Sequence, residues 1–253
     1  MAPTRIPAVP AEPSPPRKLS IVIPVYNEAA TVQEIVRHVV EAPLPPGIER
    51  EIICVNDASA DATAQKLDEL PALFPHVPFV IVHKPENQGK GAALRDGFGR
   101  ATGDVVLVQD ADLEYDPGDY MKLLDPIVDG KADVVYGSRF IGEPHRVLYF
   151  WHTLGNKVIT FLSNMFTNLN LTDVEVCYKV FRKPVLERIG RLKCNRFGFE
   201  VEVTAKVAKL RPPVRVYEVG VAYHGRSYEE GKKITWKDGV KAILAIVRFR
   251  FLD

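Results

Sequence analysis

An α/β fold built on one mostly parallel central sheet, with helices on both faces, is predicted by three observations. β-Branched runs of strand length alternate with amphipathic helical patterns, which is the signature of right-handed βαβ units. The five strand-like runs of the first half are almost free of charge, yet polar or charged residues follow each of them at its C-terminal end. Hydrophobic residues make up 46% and charged residues 26% of 253 positions, enough apolar surface for one large core and too much for a disordered chain.

Residues 1–18 carry six prolines (Pro3, Pro7, Pro10, Pro13, Pro15, Pro16) and almost no large apolar groups, so they are expected to form a disordered or extended tail. Residues 19–253 are expected to form one domain. Residues 19–25 read as the first strand, ended by a turn at Tyr26 and Asn27. Val32, Ile35, Val36 and Val39 recur at helical spacing until Pro43, Pro45, Pro46 and Gly47 break the pattern. Residues 51–55 read as a strand, 61–70 as a helix, 79–82 as a strand and 89–101 as a glycine-rich helix. Strands at 104–108 and 133–136 follow, with a helix around 119–128 between them. The second half, 141–253, is less regular. Residues 147–171 hold a single charged side chain, Lys157, among large apolar ones. Strands are expected at 176–181 and 214–221, and helices at 199–210 and 235–250.

Lys plus Arg total 33 and Asp plus Glu 32, a net charge of +1, so no basic field draws the chain to nucleic acid. Cys54, Cys177 and Cys194 form neither a disulfide framework nor a CxxC metal site, which suits a reducing cytoplasm. No apolar run approaches the ~20 residues that span a bilayer.

In parallel sheets, ligands bind beyond the carboxyl ends of the strands. Those ends carry Pro24-Val-Tyr-Asn-Glu28, Asn56-Asp57-Ala-Ser59, Asn87-Gln-Gly-Lys-Gly91, Gln109-Asp-Ala-Asp112 with Glu114, and Gly137-Ser-Arg139. Asp110, Asp112 and Glu114 supply hard oxygen ligands suited to Mg²⁺ or Mn²⁺. The plainer alternative is an acidic surface turn, with Asp112 or Asp116 capping the next helix. Ser59 and Asp61 read equally well as helix caps. Neither a Walker loop nor a GxGxxG follows the first strand, which weighs against a P-loop NTPase and a dinucleotide-dependent dehydrogenase.

The ordered set Ile23-Pro-Val-Tyr-Asn-Glu28, Val55-Asn-Asp-Ala-Ser-Ala-Asp-Ala-Thr63, Asn87-Gln-Gly-Lys-Gly-Ala-Ala-Leu-Arg95 and Gln109-Asp-Ala-Asp112 resembles an inverting family 2 glycosyltransferase of GT-A fold. The resemblance continues through Gly137-Ser-Arg139, Leu171-Thr-Asp173, Cys177-Tyr-Lys-Val-Phe-Arg182 and Phe197-Gly-Phe-Glu200, and covers about residues 19–240. It is similar to the branch that forms mannosyl or glucosyl polyprenyl (dolichyl) phosphates. The resemblance implies a nucleotide-sugar-binding half over 19–140 and an acceptor-binding half over 141–253, closed by an amphipathic helix. It implies that Pro24, Tyr26, Glu28 and Asp57 hold base and ribose. Asp110 would touch donor and metal, and Asp112 and Glu114 would coordinate Mg²⁺ or Mn²⁺. Arg139, Arg226 and Lys232 would neutralise phosphates, the last two from a glycine-bounded loop, 225–233, that closes over the donor. Asp173 and Glu200 are candidate bases for a hydroxyl acceptor; pairing with Lys179 or Arg182 is their structural alternative. Arg146 and His152 stand near where an acceptor-side Arg is expected. Asn56 stands where an Asp is usual, and Val174-Glu-Val-Cys-Tyr178 replaces the more usual small-residue run before the aromatic.

The expected reaction moves a hexose from a UDP- or GDP-linked donor to a polyprenyl phosphate, an anion that needs no base. The alternatives are a soluble or glycan hydroxyl acceptor, and a non-catalytic nucleotide-sugar-binding or scaffold protein. In the last helix Val240, Ile243, Leu244, Val247 and Phe251 form an apolar stripe beside Lys237, Lys241 and Arg248. That pattern fits an interfacial helix on the inner face of the membrane, an ordinary core helix or a homodimer contact.

Overall fold

The computed structural model describes residues 14–142, 146–147, 149–226 and 236–252. Its elements run β1 (Lys18–Val25), α1 (Val32–Glu41), β2 (Glu49–Asn56), α2 (Thr63–Asp68), α3 (Leu70–Leu73), β3 (Phe79–His83), α4 (Lys90–Phe98), β4 (Val105–Val108), α5 (Tyr120–Val128), β5 (Val134–Ser138), α6 (Phe150–Thr167), β6 (Lys179–Arg182), α7 (Lys183–Ile189), α8 (Phe199–Lys209), β7 (Val216–Gly220) and α9 (Trp236–Phe251). The sheet has seven strands in the order β3-β2-β1-β4-β6-β5-β7. β1 pairs in parallel with β2 and β4, β2 with β3, and β5 with β7. Only β6 runs backwards, antiparallel to both β4 and β5. The sheet is thus mostly parallel, as expected. The strands at its centre are buried throughout, β4 entirely apolar and β6 with Val180 and Phe181 between the buried Lys179 and Arg182, as sheets covered on both faces require.

Folded structure begins before Leu19. The backbone N–H groups of Arg17 and Lys18 donate to the Asp104 carboxylate at 2.8 and 3.1 Å, and Arg17 accepts from the Glu49 N–H at 2.9 Å. The last residues of the expected tail therefore belong to the start of β1, an interior strand of the sheet. The helix expected over 61–70 is broken into α2 and α3, with Pro71 in the first turn of α3.

α4 lies on β1 and β2. Gly97 lets it do so: a Cβ there would stand 2.3 Å from the Val22 side chain. Beyond the sheet, α6, α8 and α9 pack on one another around a second small core of Ile159, Val174, Val201, Ile246 and Phe249. The face of α9 that packs there carries Ala242, Ala245, Ile246 and Phe249. Most of the stripe read from the sequence, Val240, Leu244, Val247 and Phe251, is exposed instead. α9 is apolar on two sides. On α6, Trp151 is 74% and Phe161 66% exposed. No helix among the described residues is long and apolar enough to cross a membrane.

Candidate active site

The carboxyl ends of β1, β2 and β4 are laced together before any ligand arrives. Asn27, at φ 51°, donates its N–H to Ser59 Oγ at 2.9 Å and accepts from the Ala60 N–H at 2.8 Å. Thr63 Oγ1 accepts from the Glu28 N–H at 3.0 Å, and Asp61 from the Ala29 N–H at 3.2 Å. Ser59 and Asp61 thus join the first and second strand ends. Asn56 is 3% exposed; its side chain contacts His83 at 3.0 Å and accepts from the Ser59 N–H at 3.0 Å. Its departure from the usual Asp therefore acts on this turn.

Asp57 is buried. It accepts from the N–H groups of Gln88 at 3.1 Å and Gly89 at 2.6 Å, and pairs with Lys84 Nζ at 2.8 Å. A carboxylate here complements the N-terminal end of α4. Gly91, one turn further, sits so close to the chain crossing it that a Cβ would stand 2.3 Å from the Cys194 carbonyl oxygen. Gly91→Ala is therefore expected to cost about 1–3 kcal/mol by pushing back residues 194–196, of which Arg196, with the adjoining Phe197, is on the cavity wall. A chemical denaturation curve unchanged from the parent would show that the segment yields freely.

The acid turn after β4 is held from below. The hydroxyls of Tyr120 and Tyr178 both donate to the buried Gln109 Oε1, at 2.7 and 2.8 Å. Leu113 at φ 62° stores strain of a kind that concentrates in functional turns. Asp110 pairs with Lys90 Nζ at 2.8 Å, and Lys90 reaches on to Glu200 at 3.3 Å. Arg226 stands 3.1 Å from Asp112, 3.5 Å from Glu28 and 3.7 Å from Glu114. Glu114 also accepts from the Arg226 N–H at 2.7 Å and the Tyr223 hydroxyl at 2.9 Å. Burial, then repulsion from Asp110 and Glu114, pushes the Asp112 carboxyl up to about 7.

A cavity of about 1530 Å³ opens over these groups. Of the residues singled out from the sequence, Pro24, Tyr26, Glu28, Asp57, Asp110, Asp112, Glu114, Arg139, His152, Glu200 and Arg226 line it. Asp57, Asp110 and Asp112 thus share one space. Asp173 and Arg146 are not on its wall. Asp173 is fully buried and takes both arms of Arg139, Nε at 2.6 Å and a terminal nitrogen at 2.8 Å. It cannot meet an acceptor in this arrangement; it holds Arg139. Arg146 donates to the Tyr223 and Gly225 carbonyls at 3.0 and 3.3 Å, so it braces the segment that ends in Arg226. Glu200 pairs with Lys90, and neither expected partner, Lys179 or Arg182, holds these acids: Lys179 donates to the Val174 and Val176 carbonyls, and Arg182 to those of Ala132 and Ile127. Lys232 lies outside the described residues, as does most of the loop 225–233 and the side chain of Lys237.

Sequence reasoning assigned no role to Lys90, Glu175 or Cys177, all on the cavity wall. From the acid end the cavity continues between α6 and α9, past Trp151, Leu154, Val158, Val240 and Ile243.

Among the described residues no three of His, Cys, Asp and Glu form a preassembled metal cage. The donor set nevertheless fits a hard divalent cation. Mg²⁺ is commonly held by one or two carboxylates together with substrate phosphates and water, and Asp112 shows the mutual repulsion of carboxylates that a cation relieves. Arg226 supplies part of that positive charge here.

The model of glycosyl transferase family 2 matches residues 20–190, more than half of the chain. A dolichol-phosphate mannosyltransferase of Pyrococcus furiosus is 30% identical over 223 residues, which cover 86% of this chain and 60% of that protein. The chain therefore spans less than two thirds of that relative's length. A crystal structure of glucosyl-3-phosphoglycerate synthase from Mycobacterium tuberculosis with Mn²⁺, UDP and phosphoglyceric acid is similar at a TM-score of 0.69 and 17% identity, covering 94% of this chain and 80% of that one. The same enzyme with Mg²⁺ and UDP is similar at a TM-score of 0.66 and 17% identity, covering 92% and 79%. The shared fold is the GT-A fold.

Proposed function

The chain belongs to glycosyl transferase family 2, and from that premise we propose that it moves a hexose from a UDP- or GDP-linked donor to a polyprenyl phosphate with inversion at the anomeric carbon. One observation carries the reading: the cavity is acidic and cationic at the strand ends and apolar between α6 and α9. A charged donor and an acceptor with a phosphate head and hydrocarbon tail need those two environments in one space. The dolichol-phosphate mannosyltransferase relative supports the same acceptor class.

Pro24, Tyr26 and Glu28 are assigned to base and ribose. Asp57 would act from beneath, by fixing residues 88–89. Asp110 and Asp112 would hold Mg²⁺ or Mn²⁺, which when bound supplies positive charge to the departing diphosphate. Glu114 would steady Arg226 and Tyr223 more than it would offer a ligand, since its oxygens already accept from both. Lys90 and Arg226 would carry phosphate charge in a partly enclosed site, where such charge acts strongly. The acceptor phosphate is already anionic, so transfer would need no base on the acceptor side.

The exposed apolar faces of α6 and α9 suit a chain that works at a membrane surface to reach its acceptor. Purified chain, Mg²⁺ and each of UDP-glucose and GDP-mannose should yield product with a polyprenyl phosphate in vesicles, and the chain should float with anionic vesicles. Product with soluble glycan or phosphoglycerate acceptors alone would reject the lipid acceptor. Absence of binding to every nucleotide sugar would reject the site assignment.

A further inference from the structure

Between α6 and β6 the chain is tied at nearly every polar group. Arg139 holds the Asp173 carboxylate. Thr160 Oγ1 accepts from the Val174 N–H at 3.1 Å. Lys179 Nζ donates to the carbonyls of Val174 and Val176, and the Tyr115 hydroxyl accepts from the Cys177 N–H at 3.2 Å. Val174 and Val176 are wholly buried, while Glu175 between them lines the cavity. Its Oε1 is buried without a hydrogen-bond partner. Glu200, 3% exposed, reaches the same cavity from α8, and its Oε2 is also buried and unpartnered. Two carboxyl groups thus keep an unused oxygen at one wall of a cavity whose other polar groups are almost all engaged.

We propose that Glu175, together with Glu200, binds hydroxyl groups of the transferred sugar, which makes Glu175 a specificity-determining residue for the donor. The inference rests on the reading under Proposed function. Position supports it. Lys90 touches both Asp110 and Glu200, so Glu200 stands one side chain from the diphosphate end, and Glu175 lines the same cavity. The sugar must lie between that end and the acceptor. Chemistry supports it too. An apolar chain at this wall would leave buried oxygens unsatisfied, and a phosphate would be repelled by carboxylates. A hydroxyl both donates and accepts, as a carboxyl pair sharing a proton does.

The proton has a physical source. Burial, then the charge of Glu200, pushes the Glu175 carboxyl up to about 8. The groups facing it are Glu200 from α8, Lys179 from β6, Arg139 from the end of β5 and Asp173 from its own segment. Because the folded value is raised, the carboxyl costs stability as pH climbs from the ordinary carboxylate range to about 8.

The test is calorimetric titration of the full chain with Mg²⁺ and UDP, UDP-glucose, GDP, GDP-mannose and deoxy analogues of the matching sugar. The quantity read is the Kd of the nucleoside diphosphate divided by that of the nucleotide sugar. Glu175→Ala should lower this ratio about tenfold, and Glu175→Gln, which keeps a donor and an acceptor, by less than about threefold. One deoxy donor should lose affinity for the parent chain and lose nothing more in Glu175→Ala. Above pH ~8 the ratio should fall for the parent and stay level for Glu175→Gln. Both variants should melt at or above the parent temperature, since each removes an unpartnered buried carboxyl; Glu175→Met serves if the alanine variant does not fold. An unchanged ratio in Glu175→Ala, or an equal loss on every deoxy donor, would overturn the inference and leave the proposed function standing. A parent chain that binds no nucleotide sugar would overturn both.

Discussion

Replacing Asp112 with Asn is expected to lower sugar transfer by on the order of 10³ while leaving the fold intact. Asp112 lines the cavity beside Asp110, and its carboxyl is pushed up to about 7 by burial and by the charges of Asp110 and Glu114. A group so disfavoured as an anion is held there at a cost to the empty protein. The variant should therefore melt no lower than the parent without ligand, even though Arg226 loses one partner, because Glu28 and Glu114 still face that guanidinium. Added Mg²⁺ and nucleotide should put the parent above the variant. The parent chain should be stabilised strongly and the variant weakly, following the ratio of ligand to dissociation constant. An undiminished transfer rate would remove Asp112 from the metal site.

Arg139→Met is expected to be the most destabilising of the substitutions considered, by about 3–5 kcal/mol. Asp173 behind it is fully buried and bound through both oxygens. Removing the guanidinium leaves that buried carboxylate without its charge partner. Arg139 also lies over the Tyr223 ring at 5.2 Å, so the loss reaches the segment that carries Arg226. The melting temperature should fall by roughly 10 °C. Arg139→Met combined with Asp173→Asn should recover most of the loss, since breaking a buried pair costs far more than replacing both partners. A double variant as unstable as the single one would assign the effect to lost packing instead.

Much of the fold was legible because parallel strands covered on both faces write themselves as apolar runs, and because a turn or helix must follow each. The strand ends were legible for the same reason: Asp57, Asp110 and Asp112 stand where buried apolar sequence stops. The direction of β6 was not legible. Hydrophobic pattern records which residues are buried and not which way a strand points. α7 escaped notice because seven residues with Pro184 in the first turn carry little periodicity. At the site, the missing information was long-range. Lys90 reads as part of a glycine-rich turn until α8 brings Glu200 to it. Asp173 reads as an available acid until Arg139 closes over it. Glu175 reads as a departure from a familiar motif, and only the burial of Val174 and Val176 on either side of it shows that its side chain borders the cavity.

The reversed strand bears on whether the chain can be divided. β4 and β5 belong to the first 140 residues, yet they never touch along the sheet; β6, from beyond that point, lies between them and bonds to both. A fragment ending near residue 140 would keep a gap in the middle of its sheet and bare the inner edges of two buried strands, which invites aggregation. The first 140 residues are consequently no detachable cassette: their sheet is stitched shut by sequence from beyond that point, and the two parts must be inherited, expressed and exchanged as a unit.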